Sequence, residues 1–114
     1  MQRTSIVFRF ARGESVLDTL ARQNVGRLAR YLDQPGRSGR RVLLVGFADS
    51  DGSWASNSGL AEARAQTVLR QLRSLGQRLP QIQVHSMSYA APVACNDSDK
   101  GRSLNRRVEV WVSN

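Results

Sequence analysis

VLLVGFADSDGSWASNSGLAEARAQTV, residues Val42–Val68, is the stretch from which the rest of the chain can be read. A continuous apolar run, Val42–Val45, leaves through Gly46-Phe47-Ala48 and ends on Asp49. An uninterrupted run of β-formers is the pattern of a central strand, here Arg41–Gly46, covered on both faces. The loop 48–59 is rich in Ser, Asp, Asn and Gly, and a helix is expected to start near Ser58. Asn57 then lies just before the helix and can cap it. Ala61, Ala65, Val68, Leu69, Leu72 and Leu75 recur at helical spacing as its core face, with Gly76 as its end. Arg64 falls in its first turns, at the edge of that stripe. A strand end and a helix start share one edge of an α/β layer, where ligands of such folds sit, so Asp49 and Arg64 can converge.

Outward from this junction the other elements follow. Ser5–Phe10 alternates and reads as a first strand, with Phe8 or its neighbours facing the core. Ser15 can cap a helix opened by Val16-Leu17-Asp18, with Asp18 suited to a capping box. Leu17, Leu20, Ala21, Val25, Leu28, Ala29 and Leu32 form its apolar stripe, and Pro35-Gly36 ends it. Ile82–Met87 reads as a third strand and Arg107–Val112 as a fourth, joined by a long polar connection over 88–104. The order β-α-β-α-β-loop-β argues an α/β (α+β) two-layer sandwich, two main helices on one face of a four-stranded mixed sheet.

With 114 residues, 40% of them hydrophobic, residues 1–114 are expected to form one domain with its own core. Cys95 is the single cysteine, which excludes an intramolecular disulfide. No apolar run approaches the roughly 18 residues of a membrane span, and no signal-peptide pattern opens the chain. The net charge is +8, from 17 basic and 9 acidic residues. It suggests an anionic partner. However, Lys100 is the sole lysine, and so arginine-rich a skew follows more simply from GC-rich codons.

The motifs of the junction carry a resemblance. Gly46-Phe47-Ala48-Asp49, Gly52, Asn57, Leu60, Arg64-Ala65 and the late Asn105-Arg106-Arg107-Val108-Glu109 resemble, in order and spacing, the OmpA-like peptidoglycan-binding domain over about residues 8–112. That resemblance implies a non-catalytic module of the Gram-negative envelope, acting in the periplasm. Its function would be to bind peptidoglycan non-covalently through the diaminopimelate of the stem peptide, with no cofactor or metal. It also implies an export signal or membrane anchor upstream, the chain being an excised domain whose membrane attachment lies in that missing part. A homodimer is an allowed assembly.

The free end of diaminopimelate is a zwitterion, which one fixed anion and one fixed cation can hold. Asp49 can accept from the ammonium. Arg64 can grip the carboxylate through two parallel N–H bonds, with the helix N-terminus adding donors. The resemblance assigns ligand roles to Asp49, Asn57 and Arg64, and adds an arginine of the Asn-Arg-Arg motif, Arg106 or Arg107. Leu60 and Ala48 complete the expected ligand-binding set. Ala48 and Ala61 stand where the family has Thr and Ser, and Arg9 stands where it often has a polar or acidic residue. The plainer alternative for Asp49 and Arg64 is a salt bridge pinning loop to helix.

Other signals are weaker. Asp49-Ser50-Asp51-Gly52 lacks the further acids of a calcium loop. His85 stands alone in a strand, and Cys95 has no surrounding constellation. Trp54 can rest on a sugar ring or cover the loop base. A basic nucleic-acid-binding domain is the main rival, but it needs arginines and aromatics gathered on one sheet face, a pattern the linear sequence does not display. A degenerate module that only dimerises is the other rival.

Overall fold

In the computed structural model, described for residues 1–34, 36, 40–49, 53–75, 79–88 and 98–113, the elements run β1 (Gln2–Arg9), α1 (Thr19–Leu32), β2 (Arg41–Gly46), α2 (Trp54–Ser74), β3 (Gln81–Ser86), α3 (Asp99–Asn105) and β4 (Arg107–Val112). The sheet order is β1-β4-β2-β3. β4 runs antiparallel to both β1 and β2, while β2 and β3 are parallel, so the sheet is mixed as expected. α1 and α2 pack on one face. Ile6, Phe8 and Phe10 at the β1 end, Val42 and Leu44 from β2, and Val108, Val110 and Val112 from β4 meet the helical stripe Ala21, Val25, Leu28, Ala29 and Leu32 there. Ala65, Val68, Leu69 and Leu72 of α2 close that core.

Several boundaries move for identifiable reasons. α1 starts three residues later than its apolar pattern suggests. Asp18, not Ser15, is its cap: its Oδ1 accepts from the Ala21 N–H at 2.7 Å. Leu20 consequently lies off the stripe and is 63% exposed. α2 starts earlier, capped by Ser53, whose Oγ accepts from the Ser56 N–H at 3.1 Å. Asn57 is therefore inside the first turn rather than before it, and Leu75 lies beyond the helix and is exposed. The connection after β3 contains a short helix, α3, which Ser98 caps by accepting from the Gly101 N–H. Cys95 and the tract 50–52 with its calcium-loop pattern lie outside the described residues, as do Pro35 and Gly76.

The reading of β2 needs a correction. It is central, but among the described residues only one of its faces lies under helices. Leu43 and Val45 point the other way, into a groove shared with Phe47, Met87 and Trp111. The Val-Leu-Leu-Val run is apolar throughout because that second face is shielded by cross-strand side chains instead of a helix. No described helix is long and apolar enough to cross a membrane.

Candidate functional site

Gly46 decides how the junction is built. A Cβ placed on it would sit 1.9 Å from the Ala61 carbonyl oxygen. α2 thus crosses the end of β2 at backbone distance, which only glycine permits. Past Gly46 the chain is held by main-chain bonds on both sides. The Phe47 N–H donates to Arg107 O at 2.8 Å and the Ala48 N–H to Ser88 O at 2.7 Å. Ser88 is buried in the left-handed region, φ 51°, and its Oγ donates to Trp54 O. Ser86 Oγ donates to Ser58 O at 2.9 Å. The end of β3 is thereby tied to the first turns of α2, and Asp49 is brought to the same edge.

Asp49 is 4% exposed, and its partner is Arg106, whose Nη1 donates to Asp49 Oδ2 at 3.0 Å. Arg106 is fixed a second time, because its Nε donates to Phe10 O at 3.1 Å. The two arginines of the Asn-Arg-Arg motif diverge. Arg106 points to the Asp49 edge. Arg107 points to the other face of the sheet, where it pairs with Glu109 at 2.8 Å and lies 3.7 Å over the Phe47 ring.

Arg64 sits differently from the expectation. It is in the third turn of α2, with no exposed surface, and among the described residues it is the largest fully buried side chain. Its Nε donates to Glu14 O at 2.8 Å, Nη1 to Phe47 O at 3.2 Å and Nη2 to Ala11 O at 3.1 Å. Among the described residues its bonds go to carbonyls, so the simple Asp49–Arg64 salt bridge is replaced by Asp49–Arg106. Burial pulls the Arg64 guanidinium down to about 10, with the nearby Asp49 charge raising it and Arg106 lowering it. It remains a cation at neutral pH, and the fork clamps the exit of β2 to the loop between β1 and α1.

The remaining expected residues are close in sequence to this cluster. Ala48 and Asn57 are buried and Leu60 is half-buried. Trp54, the first residue of α2, is 51% exposed. Arg9 is exposed and donates to Leu104 O. The supports that sequence reading missed are Ser88 and the carbonyls of Phe10, Ala11, Glu14 and Phe47. A backbone acceptor leaves no signature in residue type. Ser88, a left-handed non-glycine after a strand, likewise carries none.

Comparison with known proteins places this arrangement. The family model for OmpA matches residues 9–106. The peptidoglycan-associated lipoprotein of Legionella pneumophila is 34% identical over 103 residues, which is 90% of this chain and 57% of that protein. The solved peptidoglycan-associated lipoprotein from Burkholderia pseudomallei has the same fold, with a TM-score of 0.86 at 24% identity over 96% of this chain and 91% of that one. The cell wall anchor of the T6SS from Pseudomonas aeruginosa gives 0.73 at 28% identity over 91% of this chain and 76% of that one. The chain spans about half the length of the curated relatives it matches, 57% in one case and 43% in another. Its family match, its β1-β4-β2-β3 sheet and the Gly46–Asp49 junction agree: the chain belongs to the OmpA family.

Proposed function

We propose that this chain is a non-catalytic module of the Gram-negative envelope that holds peptidoglycan by capturing the zwitterionic end of its diaminopimelate. The observation that carries the reading is the Asp49–Arg106 pair at 3.0 Å, set at the strand-end edge with the Arg64 cation behind it. An anion and a cation already matched to each other suit a ligand that carries the same two charges on one carbon. The ligand ammonium takes the place of Arg106 on Asp49, and Arg106 turns to the ligand carboxylate. Arg64, clamped by three carbonyls, supplies positive potential and holds the Asp49 loop in place. Asn57, Leu60 and Ala48 form the walls.

An exchange of this kind is weak. Each charge-assisted bond adds about 1.5–3 kcal/mol, but the internal pair must be given up first. The resulting affinity is weaker than about micromolar. A wall that offers many sites compensates by avidity.

The test is co-sedimentation with purified diaminopimelate-type peptidoglycan at low and moderate salt, beside Asp49→Asn and Arg106→Gln variants whose folding is verified by circular dichroism. Wild type should pellet, both variants should stay largely in solution, and free diaminopimelate should compete. Equal pelleting of the variants, or no pelleting of wild type, would reject the reading. A steep loss of binding with salt would point instead to the nucleic-acid rival.

A further inference from the structure

The helices leave the second face of the sheet without a covering element among the described residues. Its side chains stand in cross-strand rows. Arg9 lies opposite Arg107, Val7 opposite Glu109, and Arg3 opposite Trp111. Val45 continues the Glu109 row and Leu43 the Trp111 row. Over the middle runs a groove of about 420 Å³ floored by Leu43, Val45, Phe47, Met87 and Trp111.

The charge on this face is unbalanced. The four strands contain one acidic residue, Glu109, against Arg3, Arg9, Arg41 and Arg107. Both oxygens of Glu109 are occupied: Oε2 accepts from Arg107 at 2.8 Å and Arg3 at 3.4 Å, and Oε1 accepts from the Trp111 indole at 3.1 Å. The Arg3 side chain is nevertheless 53% exposed, and Arg9 is exposed directly across from Arg107. Like charges placed opposite each other on a sheet destabilise it. Burial, then the Arg107 charge, pulls the Arg9 guanidinium below its ordinary value, only partly offset by Glu109. An additional carboxylate at this edge would relieve that repulsion.

These features select among occupants. A second copy of the chain would set arginine against arginine. A flat membrane surface would not reach a floor recessed between charged side chains. Stacked bases need several open ring faces, but the Phe47 ring is already covered by Arg107 at 3.7 Å, which leaves Trp111, tied by its indole N–H to Glu109, as the one uncovered ring of the groove floor. An apolar segment bearing carboxylates satisfies both the floor and the rim. We infer that the open sheet face docks an acidic amphipathic segment of a partner protein, its apolar side chains in the Leu43–Val45–Trp111 groove and its carboxylates on Arg3 and Arg9. The inference is independent of the peptidoglycan reading, which concerns the opposite orientation of the Arg106–Arg107 pair.

The experiment is selection of random fifteen-residue peptides displayed on phage against the folded chain, with the Arg3→Glu/Arg9→Glu double variant as counter-target. Selected peptides should combine Asp or Glu with spaced apolar residues. In ¹⁵N spectra they should shift the amides of Leu43, Val45, Met87 and Trp111. The double variant should weaken them at least about tenfold, whereas Arg22→Glu/Arg70→Glu on the helical side, with the same charge change, should have an effect under about twofold. Neutral or basic winners, winners indifferent to the Arg3/Arg9 change, or shifts mapped elsewhere would overturn the inference. So would binding of phosphatidylglycerol vesicles or a single-stranded oligonucleotide through these arginines without peptide enrichment, or sedimentation of the chain as a dimer through this face.

Discussion

Arg64 shows how one side chain can be both a site candidate and a structural clamp. Three carbonyls from two segments share its guanidinium, so truncation would leave buried acceptors and a cavity together. Arg64→Lys keeps the charge but loses the fork geometry, and should lower stability by about 3 kcal/mol in urea unfolding. A change under about 1 kcal/mol would refute the clamp. Loss of wall binding in an Arg64 variant therefore means little unless folding is measured beside it. Glu109 gives a pH prediction. Burial alone would raise its carboxyl, but the hydrogen bonds from Arg107 and Trp111, with the charges of Arg107 and Arg3, hold it below the ordinary value. A depressed carboxyl contributes stability above the unfolded value near about 4 and loses it as pH falls through the folded one. Glu109→Gln should accordingly cost about 2 kcal/mol near neutral pH, and the difference should shrink on acidification. A cost that is independent of pH would show that packing, not charge, is responsible.

The packing of α2 on β2 depends on one missing methyl group. Because the obstacle at Gly46 is the Ala61 backbone carbonyl, no side-chain change on the helix can make room. Gly46→Ala should cost about 3 kcal/mol or more, seen as a large fall in thermal midpoint. Retention of wild-type stability would mean that α2 can lift away. The α1 cap gives a smaller contrast. Asp18→Ala should cost about 1 kcal/mol while Ser15→Ala changes little, because only Asp18 bonds a free N–H of the first turn. In the sequence Ser15 reads as the cap and Asp18 as its capping-box partner. The choice follows from where Leu17 enters the core, which local pattern cannot show.

Chain order and spatial order differ in the whole molecule. β4 comes last in sequence but lies between β1 and β2, pairing with both. The sheet cannot close until the chain reaches Val112. A variant ending at Asn105 should show no cooperative unfolding transition by circular dichroism, since it lacks the strand that joins β1 to the rest. A cooperative transition in that fragment would mean that β1 can pair with β2 directly. The same placement of β4 gives the two neighbours Arg106 and Arg107 opposite destinations, one at the Asp49 edge and one on the open sheet face.

β2 and β4 are legible residue for residue, because runs of β-formers bounded by turns leave no other choice. The two-layer class and the two long helices were equally legible, and motif order brought Asp49 and an Asn-Arg-Arg arginine into view together, since periodicity and motif order are properties of the chain itself. Three things came only with the packed structure. Arg106 rather than Arg64 pairs with Asp49, because strand pleat turns alternate side chains to opposite faces and the carbonyls around Arg64 claim its donors first. α2 starts at Trp54, because Ser53 finds the Ser56 N–H. And arginines scattered through the linear sequence meet Phe47 and Trp111 on one open face, because cross-strand register brings distant residues into rows that no reading along the chain contains.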